Sequence, residues 1–406
     1  MLKKILCILV SVTALAGILT SCSRSGGSSQ PAANSDVSAS DGSITEEQAH
    51  TATVETGLTI DGKEIDTTDL VMCTINGQEV SFDEFRFYWL MYLKSYESAG
   101  FDLSSPNTIE SVKAAVMTEL TDTYGVISMG LDNGITFGDD LKETADANYL
   151  DLISGFDTVE GYKEALISAN MTDDLVWDYF YTTACYGVAR NAILSETGPY
   201  AKTQDDFMKS VENGEFSRTL NLLIPYACGA ELSAEDMEAW DELTVSDKSA
   251  KYNNAYDKLS DDEKKTAQEK AKALADEVLA KVKAGEDFYK LIAEYNLDPG
   301  MYLNDQNDIT SITGYYITKD YGFVQEYIDS AFSLAENETS DLVETTYGYH
   351  IIKRLPLDMD YINENIDSLT KEYSETYIYK ACNDYMDSVK YEYSEYYDKL
   401  TADSIV

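Results

Sequence analysis

The chain has 406 residues, and its 73 acidic side chains outnumber the 30 basic ones, giving a formal net charge of −43. A field of this sign repels nucleic acids and anionic lipid headgroups, so we expect neither as a partner. A chain of this length can also bury a large apolar core without disulfide bonds.

The N-terminal segment has the pattern of an export signal. Lys3 and Lys4 precede the apolar run ILCILVSVTALAGI, which is too short for an ordinary transmembrane helix. Cys22 follows in LTSC, and a cysteine at this place resembles the lipobox of bacterial lipoproteins. The resemblance implies that residues 1–21 are a signal peptide and that Cys22 is lipidated. The alternative is an ordinary signal with a chance cysteine. We expect an extracytoplasmic chain, lipid-anchored to a bacterial membrane, at the outer face of the cytoplasmic membrane.

Residues 22–58 predict a flexible tether, because they are rich in Ser, Ala, Gly and Glu and have almost no large apolar side chain. This stretch includes His50, one of only two histidines in the chain. Folded structure is expected to begin at LVMCTINGQEVSFDEF, in which Asn76-Gly77 indicates a hairpin turn. Ser81 and Glu84 then match a capping box at a helix N-terminus.

Residues 59–210 predict a helical domain. After the helix that starts near Ser81, apolar spacing favours helices at about 109–131, 139–153, 159–168 and 173–194. The aromatic side chains of these helices are typical of a packed core, with an apolar cradle for a ligand as the alternative.

Residues 217–355 predict a mixed helix and sheet domain. RTLNLLIPY indicates a buried strand, and Ser260 and Gly285 fit the ends of a long helix. DFYKLIAEY predicts a helix, ITGYYIT a strand, FVQEYIDSAFSL a helix and YGYHIIKRL a last strand. An insertion at about 227–258 is interpreted as a solvated surface excursion, with Trp240 and Tyr256 covering a cleft as the alternative.

Four cysteines remain beyond Cys22, namely Cys73, Cys185, Cys228 and Cys382. They form no C-x-x-C pair and have no histidine nearby in the sequence, so we expect no zinc or other metal site. They are interpreted as small buried or partly buried side chains, although an exported chain permits disulfides. No cofactor is expected.

Several phrases of the predicted mixed domain resemble the parvulin family of peptidyl-prolyl isomerases: VKAGEDFYKLIAEY, LDPG, GYYI and AFSLAENETSDLVETTYGYHIIK. This resemblance covers about a third of the chain. The flanking phrases INGQEVSFDEF and VKYEYSEYYDKL resemble, less specifically, the helical chaperone segments of PrsA and SurA foldases.

The resemblance implies an α+β fold. A helical N-terminal chaperone domain would be completed by residues 356–406, which fold back on it as a helix and a strand. A parvulin-like βαααβ-type domain, an antiparallel sheet flanked by helices, would be inserted between them.

Rotation about an X-Pro bond faces a barrier of ~18–20 kcal/mol and makes no covalent bond, so it needs neither a nucleophile nor a metal. It needs an apolar slot for the proline ring and polar groups that favour the twisted amide. The resemblance implies catalytic roles for His350, Asp298 and Asn221. It implies substrate-binding roles for Phe323, Tyr327 and Thr345.

Each assignment has a purely structural alternative. Phe323 and Tyr327 are spaced one helical turn apart and would suit a domain core. Asp298 would suit a turn before Pro299. His350 would suit a hydrogen-bonded core position between strand neighbours.

The sequence departs from the parvulin pattern at three places. Asn221 stands where the family usually has a second histidine, and asparagine can hydrogen-bond but cannot titrate. DQNDITSIT replaces a glycine-rich phrase, and Phe323 replaces a common methionine. These changes predict a lower rate rather than a different fold.

The sequence therefore predicts an extracytoplasmic foldase that accelerates cis/trans isomerisation of X-Pro bonds in unfolded or partly folded exported proteins. The first alternative is a holdase chaperone whose parvulin-like domain has little or no activity. A second is a lipoprotein that binds a solute or a partner protein. It is disfavoured because repeated α/β halves around a hinged cleft are absent from the sequence pattern.

Overall fold

The computed structural model describes residues 43–302, 308–320 and 323–406. The predicted signal peptide, Cys22 and most of the predicted tether lie outside the described residues. The chain divides into two compact units. The helical unit takes the chain up to Ala201 together with Ile378–Val406, and the mixed unit is Lys202–Tyr377.

The elements are numbered in chain order. The helices are α1 (Glu46–Ala49), α2 (Phe82–Ser98), α3 (Pro106–Asp132), α4 (Asp139–Ile153), α5 (Val159–Ala169), α6 (Asp173–Leu194), α7 (Gln204–Glu212), α8 (Val245–Asp257), α9 (Asp261–Lys283), α10 (Phe288–Tyr295), α11 (Gln325–Ser333), α12 (Met359–Glu364) and α13 (Ile366–Asp387). The strands are β1 (Leu58–Ile60), β2 (Lys63–Ile65), β3 (Val71–Ile75), β4 (Gln78–Ser81), β5 (Ser217–Pro225), β6 (Tyr315–Ile317), β7 (Val343–Thr345), β8 (Gly348–Leu355) and β9 (Tyr391–Tyr393). The prediction of an α+β chain with antiparallel sheets is confirmed.

The end of the predicted tether is ordered, so the prediction of a flexible segment is wrong for residues 43–58. Ile44 and Ala49 are buried, and the Ile44 amide donates to the Phe156 carbonyl at 2.9 Å. His50, on the same segment, pairs with Asp173 through Nδ1 and Oδ2 at 2.6 Å. Small side chains such as Ala49 fit the core of the helical unit, and a composition rule that looks for large apolar residues does not detect them.

At the N-terminus of α2, only one half of the predicted Ser81–Glu84 capping box forms. The Ser81 hydroxyl accepts from the Glu84 amide at 3.2 Å, as an N-cap does. The Glu84 carboxylate accepts from the Tyr124 hydroxyl at 2.6 Å. The predicted cap therefore forms on the serine side, and the glutamate bonds to α3.

A three-stranded antiparallel sheet joins the two ends of the helical unit, in the order β4-β3-β9. Asn76 and Gly77 both have positive φ, 49° and 79°, which the tight turn between β3 and β4 requires. Cys73 lies opposite Tyr393 in the register of β3 with β9. The C-terminal strand thus completes a sheet that begins near the N-terminus.

The mixed unit is wider than the predicted 217–355 segment. Phe207 of α7 packs its ring edge-on against Phe216 at 5.2 Å and against Tyr373 at 5.7 Å. These contacts bring α7 and residues 356–377 into this unit. The compact unit therefore extends beyond the predicted domain at both ends, because an aromatic cluster joins segments that look like linkers in the sequence.

The sheet of the mixed unit has the order β6-β5-β8-β7. Side chains alternate between its two faces. Leu220, Leu222 and Ile351 pack into a core with α9 and α10. Ile317 and Ile352 pack with Tyr327 of α11 on another cluster. One face of the sheet is therefore covered by α9 and α10 and the other by α11. The polar residues of β5 that alternate with Leu220 and Leu222 lie on the face covered by α11.

Within the described part of the chain, none of the helices is both long enough and apolar enough to cross a bilayer. All four cysteines of that part are free thiols; Cys73 and Cys185 are buried and Cys228 and Cys382 are half-buried. The interpretation of these cysteines as buried or partly buried side chains is confirmed.

Candidate active site

The pairing of β5 with β8 brings the first and last strands of the mixed domain together. In this antiparallel register Asn221 lies opposite Ile352, and Leu223 lies opposite His350. Asn221 and His350 are therefore diagonal neighbours, 129 residues apart in the sequence. Both side chains are almost completely buried, with 2% and 5% of their surface exposed.

A chain of hydrogen bonds runs through these two residues. His350 Nε2 lies 2.9 Å from the Thr345 hydroxyl, and His350 Nδ1 lies 3.0 Å from Asn221 Oδ1. Asn221 Nδ2 donates to Asp298 Oδ2 at 2.6 Å. The Tyr315 hydroxyl donates to the same carboxylate oxygen at 2.8 Å. Four of the six predicted site residues thus form one network.

The direction of the donors follows from the carboxylate. A carboxylate only accepts, so the Asn221 amide group must turn its nitrogen toward Asp298 and its oxygen toward His350. His350 Nδ1 therefore carries the hydrogen, and Nε2 accepts from Thr345. Burial lowers the pKa of His350 to about 4, so the ring is neutral near pH 7 and keeps this tautomer.

Asp298 is half-buried in the turn after α10. Burial raises the pKa of its carboxyl, and the hydrogen bonds from Asn221 and Tyr315 oppose this effect. The Gly300 amide donates to Oδ1 at 3.0 Å. A β-carbon at Gly300 would collide with the Tyr315 hydroxyl, so this position needs glycine to keep Tyr315 on the carboxylate.

An aromatic cluster adjoins the polar chain. The Phe323 ring lies 4.9 Å from Tyr315 and 5.0 Å from Tyr327, and Tyr327 lies 5.5 Å from His350. Phe323 is half-buried, whereas Tyr327 is fully buried and bonds to the Thr219 hydroxyl at 2.9 Å. The Phe323 ring can therefore contact a ligand, whereas the buried Tyr327 ring packs against Phe323 and His350.

These groups line a cleft of about 410 Å³ that also includes Leu223, Pro299 and Tyr347. A proline ring and its flanking peptide groups fit a space of this size. Among the described residues that line it there is no lysine or arginine.

The insertion at 227–258 also reaches this cleft. Its helix α8 contributes Ser249 and Asn253 to the lining, and Val245 at its start is buried in the domain core. The interpretation of the insertion as a purely solvated excursion is therefore wrong. Trp240 and Tyr256, the alternative covers, do not belong to the lining; their rings hold α8 in place instead.

Sequence reasoning did not identify four residues of the site and cleft: Thr219, Tyr315, Ser249 and Asn253. Thr219 lies two residues before Asn221 on β5, so strand alternation would have placed both on one face. Tyr315 lies in the GYYI phrase, and its pairing opposite Thr219 is decided by the register of β5 with β6.

Comparisons with known proteins indicate the family of this domain. Residues 240–355 match the family model of the PPIC-type PPIase domain. This segment begins after β5, so the position of Asn221 lies outside it.

Foldase protein PrsA of Halalkalibacterium halodurans is 28% identical over 255 residues, which cover 58% of this chain and 70% of that protein. Foldase protein PrsA of Geobacillus sp. (strain WCH70) is 35% identical over 117 residues, 28% of this chain and 39% of that protein. The crystal structure of PrsA from Bacillus subtilis matches with 17% identity and a TM-score of 0.23, covering 79% of this chain and 93% of that one.

Residues 240–355 therefore belong to a parvulin-type peptidyl-prolyl isomerase domain, and the chain as a whole is similar to PrsA foldases. The family resemblance predicted from the sequence is confirmed.

Proposed function

We propose that this PrsA-like peptidyl-prolyl isomerase acts outside the cytoplasm and turns X-Pro bonds in unfolded or partly folded exported proteins. The observation that supports this most is the polar chain from Thr345 to Asp298 beside the Phe323 ring, inside one cleft. A thousandfold acceleration needs only about 4 kcal/mol of preferential binding to the twisted amide.

The catalytic groups act by position rather than by transferring a proton. The Phe323 ring packs against the prolyl ring, while Thr345 and Asn221 fix the neutral His350 in one tautomer. Because these dipoles are oriented before the substrate arrives, no reorganisation is needed when the amide loses its conjugation. A covalent step, a metal and a cofactor have no part in this rotation.

The test is the cis/trans exchange rate of a short Ala-Pro peptide, measured by NMR with catalytic amounts of the full chain. We expect clear acceleration by the unsubstituted chain and a loss of about tenfold or more in Phe323→Ala. Phe323 is half-buried, so this variant should stay folded, which amide protection of β5 and β8 would verify. A folded chain that leaves the exchange rate unchanged would remove the isomerase proposal.

A second function, holding unfolded clients without turning them, is favoured by the surface of the helical unit. Phe101, Leu150 and Ile167 expose 56%, 45% and 52% of their surfaces. Exposed apolar side chains are suited to transient contact with unfolded chains. Under this proposal the helical unit is the client-binding domain, and its C-terminal part, Ile378–Val406, stabilises it. Phe323→Ala would then suppress client aggregation as well as the unsubstituted chain does.

The finer location is also part of the proposal. Residues 1–21 act as a signal peptide, and Cys22 becomes the lipidated first residue that anchors the chain to the outer face of the cytoplasmic membrane. The support is the LTSC phrase after a short apolar run. Cys22→Ala should move the chain from the membrane fraction to the soluble fraction, and mass spectrometry of the N-terminal peptide should show a diacylglycerol adduct that the variant lacks.

A further inference from the structure

The insertion at 227–258 places a helix at the cleft, and two of its polar side chains have no partner within the described part of the protein. Neither the Ser249 hydroxyl nor the Asn253 amide makes a hydrogen bond to another described residue, although both line the cleft. Ser249 is half-buried and Asn253 is exposed, so both polar groups are accessible to a ligand in the cleft.

The helix geometry separates these residues from their neighbours. Successive residues of an α-helix are rotated by about 100°, so Ser249 and Asn253, four apart, are within about 40° of each other. Around the helix axis, Tyr252 and Tyr256 are likewise within about 40° of the buried Val245. Asn253 and Asn254 are both exposed, but Asn254 is rotated by about 180° from Val245 and does not belong to the cleft lining.

The helix is fixed to the domain along its whole length. Val245 is buried in the core at its start, and the Tyr252 ring meets the Trp240 ring edge-on at 5.5 Å. The Tyr256 hydroxyl accepts from Gln268 Nε2 of α9 at 2.9 Å. The same helix contacts the turn Pro299–Met301, which follows Asp298. A helix held in this way presents its polar pair in a fixed position, so little entropy is lost when a ligand binds.

We propose that α8 forms a wall of the substrate cleft and that Ser249 and Asn253 bind the main chain of the substrate next to its proline. This inference rests on the proposed isomerase function. A hydroxyl and a primary amide can each donate and accept, which matches the N–H and C=O groups of a peptide and selects no particular side chain. The absence of lysine and arginine among the described cleft residues agrees with a neutral ligand.

Main-chain hydrogen bonds of this kind are present both in the planar and in the twisted amide. They therefore strengthen substrate binding without lowering the barrier of the bound state, so their loss raises KM and leaves kcat unchanged. One lost hydrogen bond corresponds to about a two- to tenfold change in KM.

The experiment uses the full chain with the peptide Ala-Ala-Pro-Phe and compares four proteins. These are the unsubstituted chain, Asn253→Ala, the doubly substituted Ser249→Ala/Asn253→Ala, and the matched control Asn254→Ala. We expect KM to rise about two- to tenfold in Asn253→Ala and further in the double variant. The kcat should stay within about twofold, and the control should behave as the unsubstituted chain does.

A bulky variant, Ser249→Phe, adds a second measurement, since a large ring at this place should obstruct the cleft and lower kcat/KM by more than tenfold. The inference is overturned when the unsubstituted chain is active but Asn253→Ala matches Asn254→Ala and Ser249→Phe keeps its activity. A fall in kcat at constant KM would also overturn it. An inactive unsubstituted chain would instead refute the isomerase function on which it rests.

Discussion

Replacing Asn221 by alanine tests the polar network at its centre. The Asn221 side chain is 2% exposed and bridges two groups, the His350 Nδ1 hydrogen at 3.0 Å and Asp298 Oδ2 at 2.6 Å. Asn221→Ala removes both bonds. His350 then loses its only described acceptor on Nδ1, while Asp298 keeps its bonds from Tyr315 and Gly300.

The size of the effect follows from the two bonds. A hydrogen bond to a charged group contributes about 1.5–3 kcal/mol, and one between neutral groups about 0.5–1.5 kcal/mol. We therefore expect Asn221→Ala to lower the free energy of unfolding of the mixed unit by roughly 2–4 kcal/mol. Because His350 is no longer held in one tautomer and orientation, we also expect kcat/KM to fall by about tenfold to a hundredfold.

Hydrogen exchange with mass spectrometry suits this test, since it reports on the mixed unit separately from the helical unit. Peptides from β5 and β8 should lose protection, whereas peptides from α3 and α6 should keep theirs. Asn254→Ala is the control for removing an exposed asparagine. Unchanged protection of β5 and β8, together with unchanged peptide exchange rates, would refute the view that Asn221 holds the site together.

Other outcomes follow from the same geometry. The pKa of His350 is lowered from 6.5 to about 4, so on acidification the unfolded state is protonated at this imidazole before the folded state is. The free energy of unfolding should therefore fall by on the order of 3 kcal/mol as the pH drops from about 6.5 toward 4. Urea titrations should show a smaller fall in His350→Gln. For the same reason kcat/KM should have no inflection near pH 6.5, and one there would contradict a neutral His350. Peptides with glutamate before proline should react more slowly than those with alanine, in parallel exchange measurements, because no described cleft residue is a lysine or arginine. Gly300→Ala should displace the Tyr315 hydroxyl and raise the pKa of Asp298 further, which carboxyl NMR titration would detect.

Much of the mixed domain could be predicted because its signals are local. The alternation in RTLNLLIPY, the serine before α9 and the glycine after it each depend on neighbouring residues alone. The β3–β4 turn is of this kind as well, because asparagine and glycine adopt positive φ more readily than most residues, as Asn76 and Gly77 do here. Such features depend mainly on neighbouring residues, so the sequence indicates them directly.

The parts that escaped prediction depend on distant partners. The position of Ala49 in a core, the pairing of Tyr315 with Asp298, and the aromatic contact of Phe207 with Tyr373 join segments that are far apart in the chain. The helix α8 is harder still, since Val245 is its only fully buried side chain and the rest of its sequence resembles a solvated segment. Ser249 and Asn253 can be identified as cleft residues only once the fold has placed them beside the cleft.

Asn221 stands where the parvulin family usually has a histidine, and the consequence of this difference concerns protonation. Two neighbouring imidazoles can share a hydrogen bond in either direction, and each can change tautomer or charge as the pH changes. An asparagine beside a buried histidine with a pKa of about 4 leaves one direction only, from His350 Nδ1 to Asn221 Oδ1. The arrangement therefore keeps the same donors and acceptors across the pH range in which Asp298 remains ionised.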